Sequence, residues 1–175
     1  MKNSIWIPIE YKDHYLDFKP TGISLRFCDE EIDNELRKYL IAFCRWLRER
    51  FWFPIKCKIC IDYYTYYKDL DNRSKDALSI FYYPRIDDQG YLLAYPRINI
   101  AVASYKKQIK KHSRDEVFSH YSGLLSHELT HYFQWCLSET DKRTKRSLEI
   151  EANKWAEYLT NEYGQGDVYL DRKRL

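Results

Sequence analysis

From Glu31 to Arg50, apolar residues recur at three- and four-residue steps: Ile32, Leu36, Tyr39, Leu40, Phe43 and Leu47. That spacing lines one face of an α-helix, with Asp29 placed to cap its start and Pro54 beyond its end. The period then changes. Residues 55–61 and 97–103 alternate apolar and polar positions, and residues 78–83 form an aliphatic and aromatic run that stops at Pro84. These three segments predict strands. Turn-forming residues at 69–72 and 87–90 separate them. Upstream, residues 5–9 and 23–27 have the character of two short strands.

Helical spacing returns near residue 113. Ser113-Arg114-Asp115-Glu116 fits a capping box, which predicts a helix running to about Leu137. A polar, basic loop over 138–146 leads to a last helix, roughly 147–163, whose apolar face is set by Leu148, Ala152, Trp155 and Leu159. Gly164 is expected to end it, and 167–175 to form a loose tail. The order is helix, three strands, helix, helix. It predicts one α+β domain over residues 1–175, with no repeat and no linker.

Composition adds little to this outline. The 175 residues are 45% hydrophobic and 31% charged, as in a globular protein. The aromatic content is high, with 17 Tyr, 8 Phe and 5 Trp. A tyrosine ring can line a core wall while its hydroxyl reaches a polar partner, so the excess suits many half-buried positions or a peptide-binding cleft. A formal charge of +3 neither demands nor excludes a polyanionic partner. The first ten residues hold no signal-like apolar stretch, and no run approaches the ~18 apolar residues of a membrane span. Five cysteines, odd in number and scattered, then read as reduced thiols of a cytoplasmic protein. Cys57 and Cys60 match a C-x-x-C spacing, but residues three apart on a strand face opposite sides.

The candidate chemistry lies in His127-Glu128-Leu129-Thr130-His131. Histidines at i and i+4 project from one helical face, so both rings can reach a single zinc ion. Glu128 is turned by about 100° from His127, away from the ion but within reach of a water upon it, where it can act as general base. The apolar neighbours Leu124, Leu125, Leu129, Tyr132 and Phe133 make a buried site more probable than a solvent-facing pair. A catalytic zinc takes a third protein ligand. A metzincin would carry glycine at 134 and histidine at 137, where this chain has Gln134 and Leu137, and no histidine follows His131. A carboxylate of the last helix remains: Glu149 and Glu151 flank its apolar face on opposite sides, and geometry favours Glu151 only slightly.

The pair of segments His127–His131 and Leu148-Glu149-Ile150-Glu151-Ala152-Asn153-Lys154-Trp155-Ala156 resembles the paired metal-binding helices of gluzincin metallopeptidases. The small minigluzincins and the ImmA/IrrE-type peptidases are the most similar forms. The resemblance covers about the last sixty residues. It implies a zincin-like α+β fold with a small twisted mixed sheet of three to four strands. It also implies one zinc ion on His127, His131 and Glu151, since the glutamate directly before the alanine is the ligand in those families. Were Glu149 the ligand instead, Asn153 would take the supporting i+4 position. The activity implied is hydrolysis of a peptide or protein substrate with Glu128 as base. An edge strand above the active helix would hold the substrate, with residues 95–104 as the candidate. Tyr158, Tyr105 and Tyr121 are candidates to stabilise the oxyanion.

Other features point less clearly. His120, two turns before His127, reads as a surface or cleft histidine. Basic clusters lie at 106–114, 142–146 and 172–174. They support the competing expectation of a catalytically silent binding module that engages nucleic acid. The intact Glu128 argues against it, because a purely structural site has no use for a base beside the metal.

Overall fold

A computed structural model describes residues 5–14, 18–68, 76–89 and 91–165. The chain enters through Ile5–Ile7, buried, and a 3-10 turn at Ile9–His14. It continues through β1 (Phe18–Phe27), α1 (Asn34–Arg50) and β2 (Ile55–Asp62). Short strands follow: β3 (Tyr67–Lys68), β4 (Asp76–Ala77), β5 (Ser79–Tyr82), β6 (Arg85–Ile86) and β7 (Leu92–Ala94). Then come β8 (Arg97–Ala101), the single turn α2 (Tyr105–Gln108), α3 (Arg114–Cys136) and α4 (Lys145–Gln165). The architecture is mixed α+β, with four α-helices among the described residues and a small mixed sheet.

The main sheet has the order β1-β2-β8-β5. β1, β2 and β8 run parallel, and β5 returns antiparallel along β8 with Phe81 opposite Ile98. The expected substrate strand, residues 95–104, is therefore internal, paired on both sides. β5, next to β8, is an edge strand instead, as β1 is on the other side. Gly22 gives β1 its irregular start: it holds φ 87°, the left-handed region that glycine tolerates, and donates its N–H to the Phe53 carbonyl at 2.9 Å.

One face of the sheet is apolar because the alternation in β2 puts Cys57, Ile59 and Ile61 inward, joined by Ile98 and Ile100 of β8. α1 covers that face with Leu36, Leu40, Phe43 and Leu47, and α3 with Leu125, Leu129, Tyr132 and Phe133. Cys60 is only half-buried, on the opposite face from Cys57, as the strand period requires.

Tyrosines tie the layers together. The Tyr132 hydroxyl donates to the Ile55 carbonyl at 2.6 Å and accepts from the Ile55 N–H, fixing α3 to the start of β2. Tyr39 of α1 bonds Ser122 of α3 at 3.0 Å. Tyr163, fully buried, sets the end of α4 against Phe43 and Trp46 of α1. Part of the tyrosine surplus thus forms joints between elements, while Tyr11, Tyr64, Tyr66, Tyr83, Tyr91 and Tyr158 are exposed.

Three expectations change. The cap of α1 is Asp33, whose carboxylate accepts from the Glu35 N–H at 2.9 Å; Asp29 bonds the Tyr63 N–H instead, at 2.7 Å. The segment at residues 5–9 pairs only through Pro8 and Phe51, because the chain turns into a 3-10 helix there. α4 runs through Gly164, which is exposed and meets no crowding, to Gln165. The turn expected from residue 87 onward does separate β5 from β8, with the Asp87 carboxylate accepting from the Gln89 and Tyr91 N–H groups, and Gly90 lies outside the described residues. The turn at 69–72 and the tail 167–175 lie outside the described residues. No helix among the described residues is long and apolar enough to cross a membrane.

Candidate metal centre

α3 carries the histidines. Ser113 caps it in a complete capping box: its hydroxyl accepts from the Glu116 N–H while the Glu116 carboxylate accepts from the Ser113 N–H. The helix ends at Leu137 as the sequence predicts. Behind the motif, Trp6 is wholly buried and donates its indole N–H to the Thr130 hydroxyl at 3.1 Å. Thr130 in turn donates to the Ser126 carbonyl. Trp6 also packs between Phe51 and Phe133, which fixes the back of α3 while His127 and His131 face outward.

The two imidazoles meet through their Nε2 atoms, 3.1 Å apart. Glu149 of α4 completes the group: its carboxylate oxygens lie 3.3 Å from His127 Nε2 and 3.4 Å from His131 Nε2. Donor atoms around a tetrahedral divalent ion with bonds of roughly 2.0–2.1 Å are separated by about 3.3 Å, so the spacing fits one ion among the three. His127, His131 and Glu149 are the cluster of the described residues able to hold a metal ion. Each Nδ1 faces an amide oxygen, Asn153 Oδ1 at 3.1 Å for His127 and Gln134 Oε1 at 2.7 Å for His131. An oxygen acceptor assigns the proton to Nδ1 and leaves the Nε2 lone pair for a metal.

Glu151, the ligand that the resemblance implies, lies apart from this cluster. It accepts from Arg143 Nη1 at 2.6 Å and from Gln134 Nε2 at 3.0 Å. Residues two apart on a helix point about 200° apart, so only one of the two glutamates can face the histidines. α4 lies across α3 with the Glu149–Asn153 flank toward them, and the basic loop covers the other flank.

Glu128 is 6% exposed beside this group, and its carboxylate accepts from the Ser79 hydroxyl of β5 at 2.7 Å. Burial raises its pKa above the usual carboxylate range, against the opposing pull of His127, the Ser79 bond and His131. A cleft of about 510 Å³ opens from His127 and Glu128 along α3, between β5 and α4. His120, Gly123 and Thr160 line its far part. His120 therefore belongs to the cleft, and burial there lowers its pKa. The three tyrosine candidates do not line it. Tyr105 and Tyr121 are core residues, Tyr105 stacked on Phe118 with Tyr121 tilted against it, and Tyr158 packs on Trp155.

The basic clusters are partly neutralised. Arg114 pairs with Glu35, and Arg143 with Glu151. The cluster at 172–174 lies outside the described residues. Sequence reasoning missed Ser79 and Trp6, because both act across long chain separations without a local pattern. Gln134 was visible only as a departure from a metzincin motif. Compared with known protein families, curated proteins and solved structures, the chain gives no match.

Proposed function

We propose that this chain is a zinc-dependent peptidase of zincin-like, gluzincin design, with the metal on His127, His131 and Glu149. The observation that carries the reading is the convergence of three donor atoms beside a buried glutamate that is not one of them. Two imidazoles and a carboxylate are the ligand set of a catalytic zinc that keeps an open position. When bound, such an ion supplies Lewis acidity, making water easier to deprotonate and a carbonyl easier to attack.

The chain's own groups do the rest. Ser79 holds Glu128 Oε1, which leaves the other carboxylate oxygen to take a proton from the attacking water. Glu128 keeps that proton in a desolvated pocket and passes it to the leaving amine. Substrate lies in the cleft between β5 and α4, where the edge of β5, unpaired among the described residues, offers main-chain pairing to an extended peptide. The chemistry favours an enzyme over a silent binding module, since among the described residues Ser79 is the one hydrogen-bond partner of Glu128.

Metal analysis of protein prepared without chelator is expected to find about one zinc per chain. A peptide-library digest is expected to lose roughly 10²–10⁴ in rate with Glu128→Gln while zinc is retained. Zinc-free protein, or equal cleavage by both forms, would sink the proposal.

A further inference from the structure

Gln134 is fully buried one turn beyond His131, and its amide is held in one orientation. Oε1 faces His131 Nδ1 at 2.7 Å, while Nε2 donates to the Leu148 carbonyl and to Glu151 Oε2, each at 3.0 Å. A flipped amide would set its NH2 against the imidazole N–H and its oxygen against two acceptors, losing all three bonds. Glu151 is anchored in turn by Arg143 Nη1, and Arg143 Nη2 donates to the Ser147 carbonyl at 3.2 Å and its hydroxyl at 2.9 Å. A chain of hydrogen bonds therefore runs from the loop before α4 to one ring of the candidate site.

We infer that Gln134, oriented by Glu151 and Arg143, is a positioning residue that holds His131 with its proton on Nδ1 and so sets how tightly the site binds its ion. The inference rests on the metal reading above. It assigns a role to Glu151 that is not ligation: the carboxylate works through Gln134. It also makes the two histidines unequal. Asn153, the partner of His127, is exposed and free to adjust, whereas Gln134 has no alternative arrangement.

The test is zinc affinity by competition with a chromophoric chelator, with cobalt absorption as the reporter of coordination. The proteins are the full chain, Gln134→Leu, Glu151→Gln and the double variant. Gln134→Leu is expected to bind zinc roughly 10–100-fold more weakly, with a shifted cobalt spectrum. Glu151→Gln is expected to weaken binding only a few-fold, and to add nothing in the Gln134→Leu background. Wild-type affinity in Gln134→Leu, or full additivity in the double variant, would overturn the inference while leaving the metal site intact. A wild-type chain that binds no zinc removes the site itself. Independently of any variant folding, nitrogen-15 NMR of the metal-free wild type above the imidazole titration should show His131 protonated at Nδ1. A proton on Nε2 would overturn the arrangement.

Discussion

Glu149 and Glu151 sit less than one turn apart on α4, yet their surroundings have little in common. Glu149 is 43% exposed and faces only the two imidazoles, with no cation of the protein bound to it among the described residues. Glu151 is 23% exposed and saturated by a guanidinium and a buried amide. A carboxylate awaiting a metal looks underused in the protein alone; one already satisfied is structural. The sequence places both beside the same apolar stripe, and what separates them is the partner each meets.

The sharpest way to break this contrast is to neutralise each in turn. Glu149→Gln is expected to weaken zinc binding by more than the roughly 10–100-fold typical of losing an outer partner, and Glu151→Gln by less than about tenfold. Isothermal titration of both would reverse the assignment if Glu151→Gln had the larger effect. Stability should show the opposite order. In metal-free protein, urea unfolding should place Glu151→Gln about 1–3 kcal/mol below wild type, because a charge-assisted bond to Arg143 is lost from a half-buried place. Glu149→Gln should stay within about 0.5 kcal/mol, as an exposed substitution does. An equal loss in both would mean that the two sides of α4 are alike after all. The smallest effect is expected at Asn153→Ala, where zinc affinity should fall less than in Gln134→Leu, since water can replace an exposed acceptor. A larger loss there would shift the weight of the site to His127.

Much of this molecule is readable from local pattern. α1 and α3 follow from their periodicity, and Ser113 and Glu116 mark the start of α3 to the residue. β2 and β8 fall where alternation puts them, and β5 where an aliphatic and aromatic run does. The order of strands does not follow, because an edge strand with one protected face alternates in the same way as an internal strand. That is why residues 95–104 were an expected edge and β5 is the real one. His127, His131 and Glu128 could be named from spacing within one helix. The carboxylate that completes the cluster could not, because it depends on how two helices cross, and a helical wheel holds no information about its neighbour. Asp29 and Asp33 pose the same problem on a smaller scale: both can cap, and only the position of Tyr63 decides which is taken.

The bond between Trp6 and Thr130 joins residues 124 positions apart. During synthesis on the ribosome, the indole emerges long before the helix it supports exists. The rear wall of the candidate centre thus depends on a contact between distant parts of the chain, the kind that slows folding. The candidate site would then be complete only once the segments around Trp6 and Thr130 have met.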